Sequence, residues 1–242
     1  MGDFNANHFT EAVDIASADL GRPVVTVLGC RFVSDIVTVH LSAPTSNQGG
    51  CRDEVESELN WLQAQPPGLV ILASSDHYWT DSTRLGDFAN WAAGPDLNSL
   101  STMASTKTDA FESALESTVT RLQQAGHEVL IVQTVPHFGV EPYLFEPTLC
   151  TTLMIQRGAC VQSQHESAVE TAQGLPRRAI ERVSVSTGAS VLDFRGYFCH
   201  GGVCNIERDG VLLYRDGHHI SVGASVALAP DFAAAISAAS SQ

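Results

Sequence analysis

Residues 213–225 read LYRDGHHISVGAS, and within them Asp216 and His219 stand three positions apart, just ahead of a run of small and apolar residues. That spacing lets a carboxylate fold back onto the imidazole of its own turn, bonding Nδ1–H and leaving Nε2 as a base. His218 supplies no carboxylate, so the pairing is Asp216 with His219. Ser221 then serves as N-cap for a helix that begins there. Taken alone the pattern is weak evidence for chemistry, because turns are rich in Asp, Gly and His.

Upstream of this stretch, short apolar runs rich in β-branched residues alternate with helical patterns. The runs PVVTVLG from Pro23, GLVILAS from Gly68, HEVLIVQTV from His127 and ASVLDF from Ala189 have the character of buried parallel strands. Between them, residues 52–65 carry acidic groups in a first helical turn and stop before Pro66 and Pro67. Residues 105–126 offer Ser and Thr caps, an apolar stripe through Phe111, Leu115, Val119 and Leu122, and Gly126 as terminator. Residues 175–188 form another helical pattern, entered through Pro176 and closed by Gly188. Strands alternating with helices predict an α/β sandwich with a mainly parallel sheet. With no repeat and no linker, residues 1–242 read as one domain. The polar, aromatic-studded loop from Ser75 to Ala104, with Tyr78, Trp79, Phe88 and Trp91, is long enough to line a site.

The 242 residues suffice for a substantial core, and 44% hydrophobic against 17% charged is ordinary globular composition. With 27 acidic and 13 basic residues the net charge is −14, and Lys107 is the only lysine. Such a surface repels phosphate backbones and argues against nucleic acid as a partner. No apolar run approaches a membrane span of roughly 18 residues, and no basic-then-apolar signal opens the chain, which by itself reads as soluble. The six cysteines fall in three successive pairs: Cys30 with Cys51, Cys150 with Cys160, and Cys199 with Cys204. Their even count and close spacing favour disulfides in an oxidising compartment; six buried thiols are the alternative. No spacing typical of a metal site occurs among the histidines and cysteines, so neither a metal nor another cofactor is expected.

Residues 213–225 resemble the last signature block of the SGNH (GDSL-like) hydrolases, in which the Asp and His of a triad lie three residues apart. More closely, they resemble the end of the SGNH domains fused to membrane acyltransferases of acyltransferase family 3. The segment FCHGGVC, residues 198–204, is similar to a small disulfide loop of those domains, and the earlier cysteine pairs and the strand end TVPHF, residues 134–138, also look similar. The resemblance covers nearly the whole chain. It implies a three-layer α/β/α sandwich and acyl transfer or ester hydrolysis on hydroxyl groups of a cell-surface glycan or glycolipid. It also implies an upstream membrane acyltransferase domain as partner and a place on the extracytoplasmic face of the membrane.

By the same resemblance GDFNANHF, residues 2–9, is the first block, whose Gly-Asp-Ser supplies the nucleophile. Here that position is Phe4, and a phenyl ring cannot form a covalent ester intermediate. Asp216 and His219 are the remaining catalytic candidates. Gly29 and Ser75 are the candidates for holding an oxyanion, and Tyr78 and Trp79 for stacking on a sugar. Phe4 also admits a second reading, a glycan-binding or scaffold module without catalysis. In the family a central strand precedes the first block, whereas only Met1 precedes Gly2 here. The first strand is therefore expected to be truncated, the chain being either a fragment or an independently expressed remnant.

Overall fold

Three of the four apolar runs form a parallel ladder. Leu69–Leu72 pairs with Glu128–Val132, and Glu128–Val132 pairs with Ser190–Leu192, both in parallel register. The computed structural model describes residues 1–41, 50–80, 91–138, 150–157 and 163–239, with the backbone alone for Phe4 and Gly50. The chain divides into two compact units interleaved along the sequence.

The first unit comprises Met1–Ala6, Val27–Thr134 and Ala172–Leu192 and contains the parallel sheet. Met1 and Gly2 extend that sheet as a stub: the Met1 nitrogen donates to the Ile71 carbonyl at 2.8 Å, and Ala73 N–H donates to the Met1 carbonyl at 3.2 Å. Gly2 makes parallel bridges to Ala73 on one side and Leu28 on the other. Its φ is +154°, and a Cβ there would collide with the Ala73 carbonyl oxygen, so the close approach requires glycine. The fourth run, from Pro23, is reduced to the Leu28 bridge, and Val25 is 71% exposed.

The helices Gly50–Gln63 and Ala104–Gln124 turn their apolar faces into this core. The stripe Phe111, Leu115, Val119 and Leu122 is buried with Val55, Leu59, Val70, Leu72, Val129 and Ile131. Helix Ala104–Gln124 begins at Met103, whose side chain makes no cap bond, so the expected Ser/Thr cap is not used. Its end is as the sequence implies, with Gly126 at φ +89°. Trp79, expected to face a sugar, is instead 1% exposed and stacks on Phe111 at 4.7 Å. A ring of that size is worth more in the core than a surface turn can offer. Lys107 is buried too, its ammonium donating to the Trp91 carbonyl at 3.1 Å. A short antiparallel pair, Val37–His40 with Trp91–Gly94, lies outside the four expected strands. Cys30 and Cys51 are bonded to each other.

Helix Glu166–Thr187 starts well before the expected entry at Pro176, which sits in its interior. Proline removes one helical N–H bond there, but the pattern continues on both sides because its apolar face, including Ile180 and Val183, is buried.

The second unit, Asn7–Thr26, Val135–Thr171 and Asp193–Gln242, is organised by rings and small residues. Helix Thr10–Asp19 packs against Val222–Ala227 and Ala229–Ala239. Beside it Phe9, Phe194 and Phe232 form a triangle with centroids 5.3–5.7 Å apart. Cys199–His200 and Val203–Asn205 form a hairpin closed by the Cys199–Cys204 disulfide. Its two-residue turn, Gly201–Gly202, has φ +60° and +80°, the conformation that a tight hairpin needs and glycine adopts freely. The pairing of Cys150 with Cys160, like Phe88, lies outside the described residues.

Leu115 is fully buried at the centre of the first unit's core. Replacing it with Ala is expected to lower unfolding free energy by about 2–5 kcal/mol, read from the midpoint of a urea titration. A loss below about 1 kcal/mol would contradict this packing.

Candidate active site

In the second unit, residues 213–225 make a narrow loop. Tyr214 and Ile220 are bridged antiparallel, and Arg215 N–H donates to the His219 carbonyl at 2.9 Å. Tyr214 is buried and its hydroxyl donates to the Pro136 carbonyl at 2.8 Å, anchoring the loop. Ser221 caps the following helix by accepting from Ala224 N–H at 3.1 Å, as the sequence implies.

Asp216 closes the loop with its carboxylate. Oδ1 accepts from the backbone N–H of His218 at 2.9 Å and of His219 at 2.7 Å. Oδ2 meets Nδ1 of His219 at 2.7 Å, so the expected acid–imidazole pair is present. Burial alone would raise the Asp216 carboxyl; the bonds from the His219 ring and the two N–H groups outweigh it and hold the group below the usual carboxylate range. His219 Nε2 is shielded from water and has no hydrogen-bond partner among the described residues. A neutral ring that gives Nδ1–H to Asp216 therefore presents a bare, basic Nε2.

Three further imidazoles surround this pair, and the sequence reading gave them no place in it. His8 lies edge-on to His219 at 6.1 Å and accepts the Ile220 N–H on Nδ1 at 3.3 Å. His218 lies 4.0 Å from the His219 ring, and His137 6.1 Å from His218. Burial, followed by the neighbouring His219, lowers His8 well below the ordinary histidine value. Burial also pushes His137 and His218 down to about 4. These rings stay neutral beside His219 and add no competing charge at neutral pH. Asp216, His218 and His219 offer ligand atoms within 4.8 Å of one another. Both Asp216 oxygens are already engaged, so an ion there would compete with the acid–base pair.

In the first unit, the first-block turn is held by another carboxylate. Asp3 is 1% exposed and accepts from Asn5 N–H at 2.8 Å, Ser74 Oγ at 2.9 Å and Ser75 N–H at 3.0 Å. Burial raises its carboxyl against these bonds. Phe4 opens the helical turn Phe4–Asn7 directly after it. Gly29, expected to hold an oxyanion, instead donates its N–H to the Gly2 carbonyl at 3.1 Å, because it continues the sheet. The Ser75 N–H is committed to Asp3, and its hydroxyl is paired with the His77 ring, so neither group is idle. Tyr78 is partly exposed and lies 5.0 Å from Trp91, while Trp79 is in the core.

A family model described as the SGNH domain fused to AT3 domains matches residues 1–234. Among solved structures, the periplasmic domain of a lipopolysaccharide acetyltransferase from Salmonella ser. Paratyphi A superposes with a TM-score of 0.57 at 12% identity. That match covers 97% of this chain and 81% of the other. A protein from Slackia heliotrinireducens classed with the SGNH hydrolases gives 0.51 at 14% identity, covering 98% and 94%. At such identities these two carry the fold alone, an α/β sandwich of the SGNH-hydrolase kind. No curated protein sequence matches the chain.

The imidazole cluster makes stability pH-dependent. A histidine held below its unfolded value near 6.5 contributes stability above that pH and loses it as pH falls toward about 4. The urea midpoint is expected to decline between those values, and less steeply in His137→Gln. A midpoint flat across that window would contradict the buried, neutral cluster.

Proposed function

This chain belongs to the family of SGNH domains fused to AT3 domains, and we propose that it is an acyl-transfer domain acting on ester or hydroxyl groups of cell-surface glycans or glycolipids. One observation supports this most: His219, oriented by Asp216 through Nδ1, keeps Nε2 unengaged. A module that only binds has little physical need for that arrangement. His219 is the general base and Asp216 the acid that fixes its tautomer and offsets the imidazolium charge.

Position 4 is where the family's Gly-Asp-Ser has its alcohol. Phe4 offers no oxygen, so the covalent route through that residue is closed. What His219 can still do is take the proton of an acceptor hydroxyl as that oxygen attacks an acyl carbon directly. The leaving group then receives the proton, and no ester forms on residue 4. The acyl donor is an ester or thioester delivered by a membrane acyltransferase domain, the partner that the family's AT3 fusion supports. The site faces the extracytoplasmic side, where such glycans lie. No helix among the described residues is long and apolar enough to cross a membrane. A second reading, a glycan-binding or scaffold module of the same fold, is favoured by Phe4 itself.

The two readings part on the base. Transfer of acetyl from p-nitrophenyl acetate to a soluble oligosaccharide, read by mass spectrometry of the acceptor, is expected with the chain as it stands and should fall by at least about 100-fold in His219→Ala and in Asp216→Asn. No acetylated acceptor, or acetylation indifferent to both substitutions in folded proteins, would overturn the acyl-transfer reading.

A further inference from the structure

In an open parallel sheet, ligands settle beyond the carboxyl ends of strands where the strand order reverses. Gly2 marks such a place in the first unit: its sheet neighbours are Leu28, which follows it in the chain, and Ala73 on the opposite side. Ser75 stands two residues beyond that Ala73 bridge, at the carboxyl end of Leu69–Leu72. Its N–H donates to both oxygens of Asp3, at 3.0 and 3.2 Å, so its backbone is fixed against the first-block turn.

The Ser75 hydroxyl oxygen is hydrogen-bonded with Nδ1 of His77. The same oxygen accepts the His77 backbone N–H at 3.4 Å. In the Nε2–H tautomer of the ring the hydroxyl is the donor to Nδ1, with the backbone N–H on one of its lone pairs. Ser75 is buried, whereas His77 and Tyr78 are partly exposed. The His77 ring lies 3.9 Å from Tyr78 and 6.2 Å from Trp91. An alcohol coupled to an imidazole beside an aromatic wall is the arrangement of an activated nucleophile next to a surface that suits the apolar face of a sugar.

We propose that Ser75 and His77 form a nucleophile–base pair that accepts a short acyl group from an ester or thioester, supplying the covalent step that residue 4 cannot perform. This rests on the acyl-transfer reading above. The Ser75 proton passes to His77 Nδ1 as Oγ bonds to the acyl carbon; the bond to the leaving oxygen or sulfur breaks, and the leaving group takes that proton. An acceptor hydroxyl, or water, then gives its proton to Nδ1 while attacking the acyl-Ser75 ester. Release of the acyl group returns the proton to Oγ. No oxidant, reductant or metal enters the balance. Both groups are in one unit and two residues apart, so the pair depends on the local turn and on Asp3.

The full chain, with residue 4 as it stands, is incubated with diisopropyl fluorophosphate and separately with p-nitrophenyl acetate, and adducts are mapped by tandem mass spectrometry. The expected result is an adduct on Ser75 that Ser75→Ala removes and that His77→Gln slows by at least about 100-fold. The labelling rate should also rise with pH through the titration of an imidazole, a dependence that His77→Gln abolishes. No adduct on Ser75 of the unaltered chain, or one formed equally fast without His77, would overturn the proposal. The adduct is read on the protein and the His219 test on the acceptor, so failure of this pair is distinguishable from failure of the acyl-transfer reading.

Discussion

A carboxylate recruits donors, and in this chain two carboxylates, the buried Asp3 and the half-exposed Asp216, organise what surrounds them by that requirement. Asp216 takes two backbone N–H groups and an imidazole N–H from the three residues after it. Relaxing the turn gives up these three bonds, and the ring it holds cannot rotate without losing its bond to the carboxylate. Everything chemical that is claimed for the second unit follows from this: with Nδ1 spent on Asp216, only Nε2 remains to act on a proton. Asp3 does the equivalent in the first unit, where three donors from residues 5, 74 and 75 join the first-block turn to the end of the neighbouring strand.

The loss at position 4 is of a different kind. Phe4 removes an oxygen and leaves the donor sets of both carboxylates in place. A phenyl ring at that position bears on one proposed step alone, and the remaining groups are assigned roles individually. The surrounding imidazoles show the same selectivity. His8, His137 and His218 are neutral through burial, so they shape and dry the space around His219 without charging it.

Local patterns were the legible part of the sequence. Asp216 and His219 are three residues apart, and the turn between them is short enough for spacing alone to imply contact. Phe111, Leu115, Val119 and Leu122 repeat with helical period and are buried as that period requires. What spacing could not reveal depended on partners distant in sequence. The run from Pro23 has strand composition, yet only Leu28 bridges, because its neighbour in the sheet is Met1–Gly2. Trp79 reads as a loop aromatic until Phe111 is known to lie 4.7 Å away. Gly29 has the right residue type for an oxyanion donor, but its N–H is used by Gly2. The Ser75–His77 pair was missed for another reason: a serine two residues before a histidine has no motif value until the backbone turns the two side chains together.

A base at His219 requires Nδ1 protonated toward Asp216 and Nε2 without a proton. The ¹⁵N resonances of its imidazole at neutral pH report this. The expected pattern is a protonated Nδ1 and an unprotonated Nε2, with the preference lost or inverted in Asp216→Asn. A ring carrying its proton on Nε2, or one whose tautomer ignores that substitution, would overturn the role given to His219.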